Sequence, residues 1–148
     1  MDFAFSEEQQ MLRETARRFL DDKAPVEVVR SLMETDSGFD DGLWAQIADQ
    51  GWQAMAIPEA YGGAGFGFLE QAILMEEMGR SLFPSPYLSS IVLGADLVLR
   101  SGTEDQKQEI LPRIASGETR IAVAHVEPSG SWGADGVVMA AVRDGDDL

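Results

Sequence analysis

The chain has 148 residues, 45% of them hydrophobic, which is enough apolar material for one buried core of single-domain size. Eleven Lys and Arg against 26 Asp and Glu give a formal charge of -15, which repels phosphate backbones and anionic lipid and argues against nucleic-acid binding and membrane insertion. Cysteine is absent, excluding disulfides, thiolate catalysis and Cys-ligated zinc, while the acidic start "MDFAFSEEQQ" and the lack of a long apolar run point to a cytoplasmic protein.

Ser6 followed by Gln9 is a capping-box pattern, and Met11/Leu12, Thr15/Ala16 and Phe19/Leu20 then recur at helical spacing, predicting an amphipathic first helix. Pro25 ends or restarts it, and a short second helix is expected from about Val26 to Glu34, before the turn-rich "TDSGFDDG". Leu43/Ile47 and Trp44/Ala48, each four apart, mark a third helix, with Gly51 as its cap. The following "MAIPEAYGGAGFGF" holds Pro58 and glycines at 62, 63, 65 and 67, which forbid regular structure and allow close backbone approach. It does not fit a phosphate cradle, because no Lys-Ser/Thr follows it and no strand precedes it; a packing loop is the better reading.

"LEQAILMEEMG" from Leu69 to Gly79 is helical again, with Leu74, Met75 and Met78 read as core, and "SLFPSP" breaks it. "YLSSIVLGADLVLRSG" is apolar nearly all round, with only Asp96 and Arg100 charged, and is predicted to be the most buried helix. Thr103 and Gln106 form a second capping box, Glu104 and Asp105 suit the positive end of the helix dipole, and Ile110/Leu111 and Ile114/Ala115 supply a buried face. Pro112 is expected to bend this sixth helix or tighten a turn, and Gly117 ends it.

Beyond Gly117, "RIAVAHV" and "GVVMAAVR" have the β-branched, turn-bounded character of strands. An Asp144-Gly145 hairpin signal then stands three residues from the end, which predicts a sheet cut short with a free edge. The expected fold class is therefore mainly α, six helices over residues 1–118, with an incomplete β segment over 119–148. His125 and Glu127 would share a strand face and could form a catalytic pair. However, Pro128 marks the strand's end and no nucleophile is tied to them, so a structural or cofactor-lining histidine is favoured. One histidine among scattered carboxylates supports no metal site.

Four stretches, "FSEEQQMLRETARRFL", "GWQAMAIPEAYGGAGFGFLEQAILMEEMGR", "GTEDQKQEILPRIASGE" and "AVAHVEPSGS", make the whole chain resemble the N-terminal part of the acyl-CoA dehydrogenase family. These flavoproteins oxidise acyl-CoA thioesters to 2-enoyl-CoA. The resemblance implies a helical N-terminal domain over 1–118 and the beginning of a middle β-barrel-like domain over 119–148. It also implies FAD as cofactor, acyl-CoA as substrate, an electron acceptor such as an electron-transfer flavoprotein, and a homo- or hetero-oligomer for the full-length form.

The last stretch is similar to the family pattern A-x-T-E-P-x-A-G-S-D. Glu127 and Pro128 match E-P, and Gly130 and Ser131 match G-S if one residue is missing. Val126 stands at the Thr, His125 at the small or apolar residue before it, and Trp132 at the Asp. By this resemblance Val123, His125, Val126, Gly130 and Ser131 would contact the flavin. Ser131, Ser89, Ser90 and Leu93 would lie along the substrate, although Ser89 and Ser90 also suit core serines bonded back to the preceding turn. Val126 carries no hydroxyl, so one usual flavin contact is missing. The family's glutamate base belongs to a C-terminal helical domain, and no acidic residue here matches it, so no catalytic residue is assigned. Three readings stand: the N-terminal part of an FAD-dependent acyl-CoA dehydrogenase, inactive by itself; a non-catalytic partner subunit of a heteromeric dehydrogenase; or a helical interaction module that has lost the cofactor.

Overall fold

In the computed structural model, which describes residues 4–140 together with Val142 and Gly145, the capping boxes read from the sequence begin two of the helices. The Ser6 hydroxyl accepts from the Gln9 amide at 3.2 Å and Gln9 Oε1 accepts from the Ser6 amide at 3.0 Å, starting α1 (Glu7–Lys23). The second helix, α2 (Val26–Met33), follows Pro25. The Asp40 carboxylate, accepting from the Leu43 amide at 2.7 Å, starts α3 (Asp41–Asp49). Gly51, at φ 75°, stands just past the end of α3 in the left-handed conformation, at the place where the sequence puts the cap. The fourth helix, α4 (Phe68–Arg80), begins where Glu70 accepts from the Gly67 amide at 3.0 Å. α5 starts as a π-helix (Leu88–Ala95) and continues as an α-helix (Asp96–Ser101), and α6 (Glu104–Ala115) opens on the Thr103/Gln106 capping box.

α1 lies along α4, and α5 packs on α6. Leu20, Trp44, Ile47, Trp52, Leu74, Tyr87, Ile91, Leu111 and Ile114 belong to one buried cluster. Its polar atoms have partners: the Tyr87 hydroxyl donates to the Trp52 carbonyl at 2.8 Å, and Trp44 Nε1 donates to the Gly117 carbonyl at 2.8 Å. Burial pushes the Tyr87 phenol far above its usual range, so it remains a neutral donor.

One expectation about the helices needs correction. α5 is not the most buried helix, since Leu88, Leu93 and Leu97 are 52%, 44% and 48% exposed. Only the side carrying Ser90, Ile91, Gly94 and Ala95 meets the helical body, and an apolar sequence all round does not say how many neighbours surround it. Pro112 does not interrupt α6, which runs through it to Ala115. It sits in the last turn, where the Ser116 amide still donates to the Pro112 carbonyl at 3.0 Å and only the proline's own missing donor is lost.

Among the described residues no strand is formed after α6, because a strand is defined by its ladder and 119–140 has no pairing partner. Alternation survives without the ladder: Ile121, Val123, His125 and Glu127 are half-buried while Ala122, Ala124, Val126 and Pro128 are exposed. The Asp144-Gly145 hairpin signal rests on Asp144, which lies outside the described residues.

The end of α4 carries a strained residue. Leu82 has φ 54°, the one positive φ among described residues other than glycine. The Phe83 amide donates to the Met78 carbonyl at 2.9 Å and the Leu82 amide to the Gly79 carbonyl at 3.1 Å, a helix ending that normally places glycine at this position. Leu82 is exposed, so its side chain gives little packing in return. Leu82→Gly is expected to stabilise the chain by about 0.5–1 kcal/mol, seen as a raised thermal midpoint. A lowered midpoint would mean that the leucine packs against something in solution.

Candidate functional site

Three of the residues that the sequence singled out, Leu93, Val123 and His125, gather where α5 meets the chain leaving α6. Val92, Leu93, Leu97, Arg100, Val123 and His125 line a cleft of about 290 Å³ there, together with Asp96 and Ser101. Helical spacing brings Leu93, Leu97 and Arg100 to one side of α5, and the alternation of 121–125 turns Val123 and His125 toward it. At its rim Asp96 accepts from Arg100 Nε at 2.7 Å, and this hydrogen bond holds the guanidinium more firmly protonated. Leu93, Val123 and His125, named from the resemblance for substrate and flavin contact, are brought to one cleft. Asp96 and Arg100 were noted only as charges on an apolar helix, although their i,i+4 spacing beside Leu93 and Leu97 would have placed them together.

The remaining predicted residues lie apart from the cleft lining. Ser90 is buried, donating to the Ile121 carbonyl at 2.9 Å and accepting from the Ile121 amide at 3.1 Å. Ser89 donates to the Pro86 carbonyl at 3.1 Å, the back-bonded role its position allowed. Val126 is exposed. Gly130, at φ 68°, donates to the Glu127 carbonyl at 2.8 Å and closes a turn. Ser131 Oγ accepts from the Gly133 amide at 3.3 Å, while the Ser131 amide donates to Ser129 Oγ at 3.3 Å.

His125 and Glu127 have separate partners. The histidine Nδ1 lies 3.4 Å from the Val123 carbonyl, and its ring meets the Trp132 ring edge-on at 5.4 Å. Glu127 Oε1 accepts from the Val138 and Met139 amides at 3.0 and 2.9 Å, tying the turn after the cleft to the segment beyond it. A carboxylate so engaged orients backbone, and Trp132 covers one side of the His125 ring.

The glycine loop has a packing role. The Ala64 amide donates to the Ala54 carbonyl, Gly65 to Ile57 and Phe66 to Met55, each at 2.9 Å, so the chain folds back on itself with its backbone donors consumed internally. Among the described residues no group of three or more His, Cys, Asp or Glu is arranged to hold a metal ion, and no helix is long and apolar enough to cross a membrane.

Comparison with known proteins agrees with this architecture. Residues 6–118 match the family described as acyl-CoA dehydrogenase, N-terminal domain. Acyl-CoA dehydrogenase IpdE2 of Mycobacterium tuberculosis is 39% identical over 112 residues, 75% of this chain and 34% of that protein. The crystal structure of the ChsE4-ChsE5 complex from Mycobacterium tuberculosis superposes with a TM-score of 0.80 at 34% identity, covering 88% of this chain and 36% of the matched one. An acyl-CoA dehydrogenase from Bacillus anthracis, solved in complex with FAD, superposes with a TM-score of 0.72 at 25% identity, covering 86% of this chain and 22% of the other. The chain spans about a third of the length of the curated relatives it matches. With 113 consecutive residues, most of the chain, matched to the family's model, this chain belongs to the acyl-CoA dehydrogenase family, of which residues 6–118 are the N-terminal domain.

Proposed function

We propose that this chain is the N-terminal part of an FAD-dependent acyl-CoA dehydrogenase and forms one wall of its substrate and flavin site. The observation that carries this reading is the apolar cleft between α5 and residues 121–125, in a chain of the family's N-terminal fold. Val92, Leu93 and Leu97 suit an acyl chain, excluding water from it, while Ser131, whose oxygen accepts from Gly133, keeps its hydroxyl hydrogen to donate to a flavin. The fit to FAD is partial: Val126 has the exposure that a cofactor contact needs but no hydroxyl with which to donate. Bound FAD supplies hydride acceptance in this family. The residues here would bind, orient and exclude water, and the proton-abstracting base would come from elsewhere.

A second reading is favoured by the same Val126 and by the match to a structure containing two named components, ChsE4 and ChsE5. In it, the chain is part of a partner subunit whose flavin site is completed by, or confined to, another polypeptide. Both are tested by mixing the purified chain with FAD, removing free flavin and recording the visible flavin bands, then adding acyl-CoA thioesters anaerobically. Retained flavin that bleaches with a thioester supports the first reading. A protein that stays colourless alone and gains flavin only with a second polypeptide supports the partner-subunit reading. No flavin under either condition overturns the cofactor assignment.

A further inference from the structure

Ser90 is 1% exposed on the π-helical part of α5, and its hydroxyl serves both backbone groups of one residue on another segment. It donates to the Ile121 carbonyl at 2.9 Å and accepts from the Ile121 amide at 3.1 Å, the two groups that a neighbouring strand would otherwise pair. Gly94, four residues further along the same helix, completes the seat. A Cβ there would collide with Ile121 Cγ1 and stand 2.7 Å from Ile121 Cδ1, so glycine lets the isoleucine sit directly on the helix backbone. These two positions therefore hold Ile121 from its backbone and from its side chain, on a π-helical stretch of the kind that concentrates at functional sites.

The consequence reaches beyond Ile121 because its neighbours alternate. With Ile121 facing α5, Val123 and His125 face it as well and line the cleft; a slip of one residue would bring Ala122, Ala124 and Val126 inward instead. Among the described residues no strand ladder holds this segment, and at Ile121 the serine and the glycine are what meets it from α5.

We propose that Ser90 and Gly94 are positioning residues that set the register of 121–127 against α5, and through it the placement of Val126, Gly130 and Ser131; the last step, toward flavin, rests on the reading above. Neither residue needs to touch the cofactor or the acyl group. Ser90 in particular has its hydroxyl engaged by Ile121.

His125 is the chain's single histidine, so its imidazole NMR signals report the register directly, with or without flavin. Ser90→Ala strips Ile121 of both partners, and Gly94→Ala displaces its side chain; each is expected to move or broaden the His125 signals while far-UV helical content is kept. The double variant Gly94→Ala/Ile121→Ala, which restores space and keeps the serine, should return them toward the wild-type position. Should Ser90→Ala prove unfolded by circular dichroism, the Gly94 single and double variants decide alone. His125 signals unchanged in the folded single variants overturn the proposal. In flavin-binding preparations Ser90→Ala should also weaken FAD retention about tenfold, the loss of roughly one well-made hydrogen bond's worth of placement. Unaltered retention with shifted His125 signals would overturn the flavin step alone, whereas a wild type that takes up no flavin counts against the cofactor reading and leaves the register test intact.

Discussion

Glu77→Gln is expected to destabilise the chain by about 3 kcal/mol, a large share of the ~5–15 kcal/mol that folded domains possess. Glu77 is 1% exposed on α4 and joins that helix to α1: Arg17 reaches it through two hydrogen bonds of 2.8 and 2.9 Å, Arg80 through one of 2.9 Å, and Arg13 Nε lies 3.4 Å away. Arg80 also pairs with Asp21, and Arg13 with Glu76, so the carboxylate is the centre of a network spanning both helices. Removing its charge leaves several guanidinium groups facing a neutral amide. The cost falls at the lower end of that for breaking a buried ion pair, because Arg17 and Arg80 are 49% and 40% exposed and regain water.

The same site predicts a pH dependence. The hydrogen bond from Arg17, helped by Arg80 and by both charges, outweighs burial and holds the Glu77 carboxyl below the usual carboxylate range. A carboxyl lowered on folding contributes stability that is fully present above its unfolded value, about 4.3, and is lost as pH falls through the folded value beneath it. Acid unfolding of the wild type should therefore be steeper below about pH 4.3 than that of Glu77→Gln. Parallel acid limbs in the two proteins would sink this assignment.

Gly63→Ala should be as damaging through sterics alone. A Cβ at Gly63 would overlap the Ile57 carbonyl and stand 2.6 Å from Ile57 Cβ, and backbone cannot turn aside as a flexible side chain can. Opening the loop would strain the Gly63 amide bond to the Pro58 carbonyl at 3.1 Å and the three bonds from Ala64, Gly65 and Phe66. The expected loss is about 3 kcal/mol, the upper end of ordinary overpacking. Gly79→Ala is the internal control. Gly79 is exposed within α4, a Cβ there meets nothing within 4 Å, and the change should stabilise by about 0.5–1 kcal/mol. Equal effects from the two substitutions would mean that the 54–66 loop is not held by close backbone approach.

Much of the helical body was legible because its signals are local. Ser6 with Gln9, Thr103 with Gln106 and Gly51 after α3 act within one helical turn, so sequence spacing alone specifies them. The site was legible only in part. Val123, His125 and Leu93 were read from resemblance and do meet in the cleft, but the engagement of Ser90 by Ile121 joins residues 31 positions apart, which no local pattern encodes. Glu77 is one of two adjacent glutamates on α4, nothing in the local pattern tells it from Glu76, and its burial depends on where α1 places Arg13 and Arg17.

The sequence by itself determined the acidic, cysteine-free character, the six helices, the caps at Ser6, Gly51 and Thr103, and the two-residue alternation after α6, because composition and periodicity are properties of the chain alone. Tertiary structure decided which face of α5 is covered, which carboxylate is buried among arginines, and which face of residues 121–127 turns toward the cleft. Each of those depends on a partner distant in sequence, since burial and pairing belong to two surfaces at once and periodicity describes only one of them.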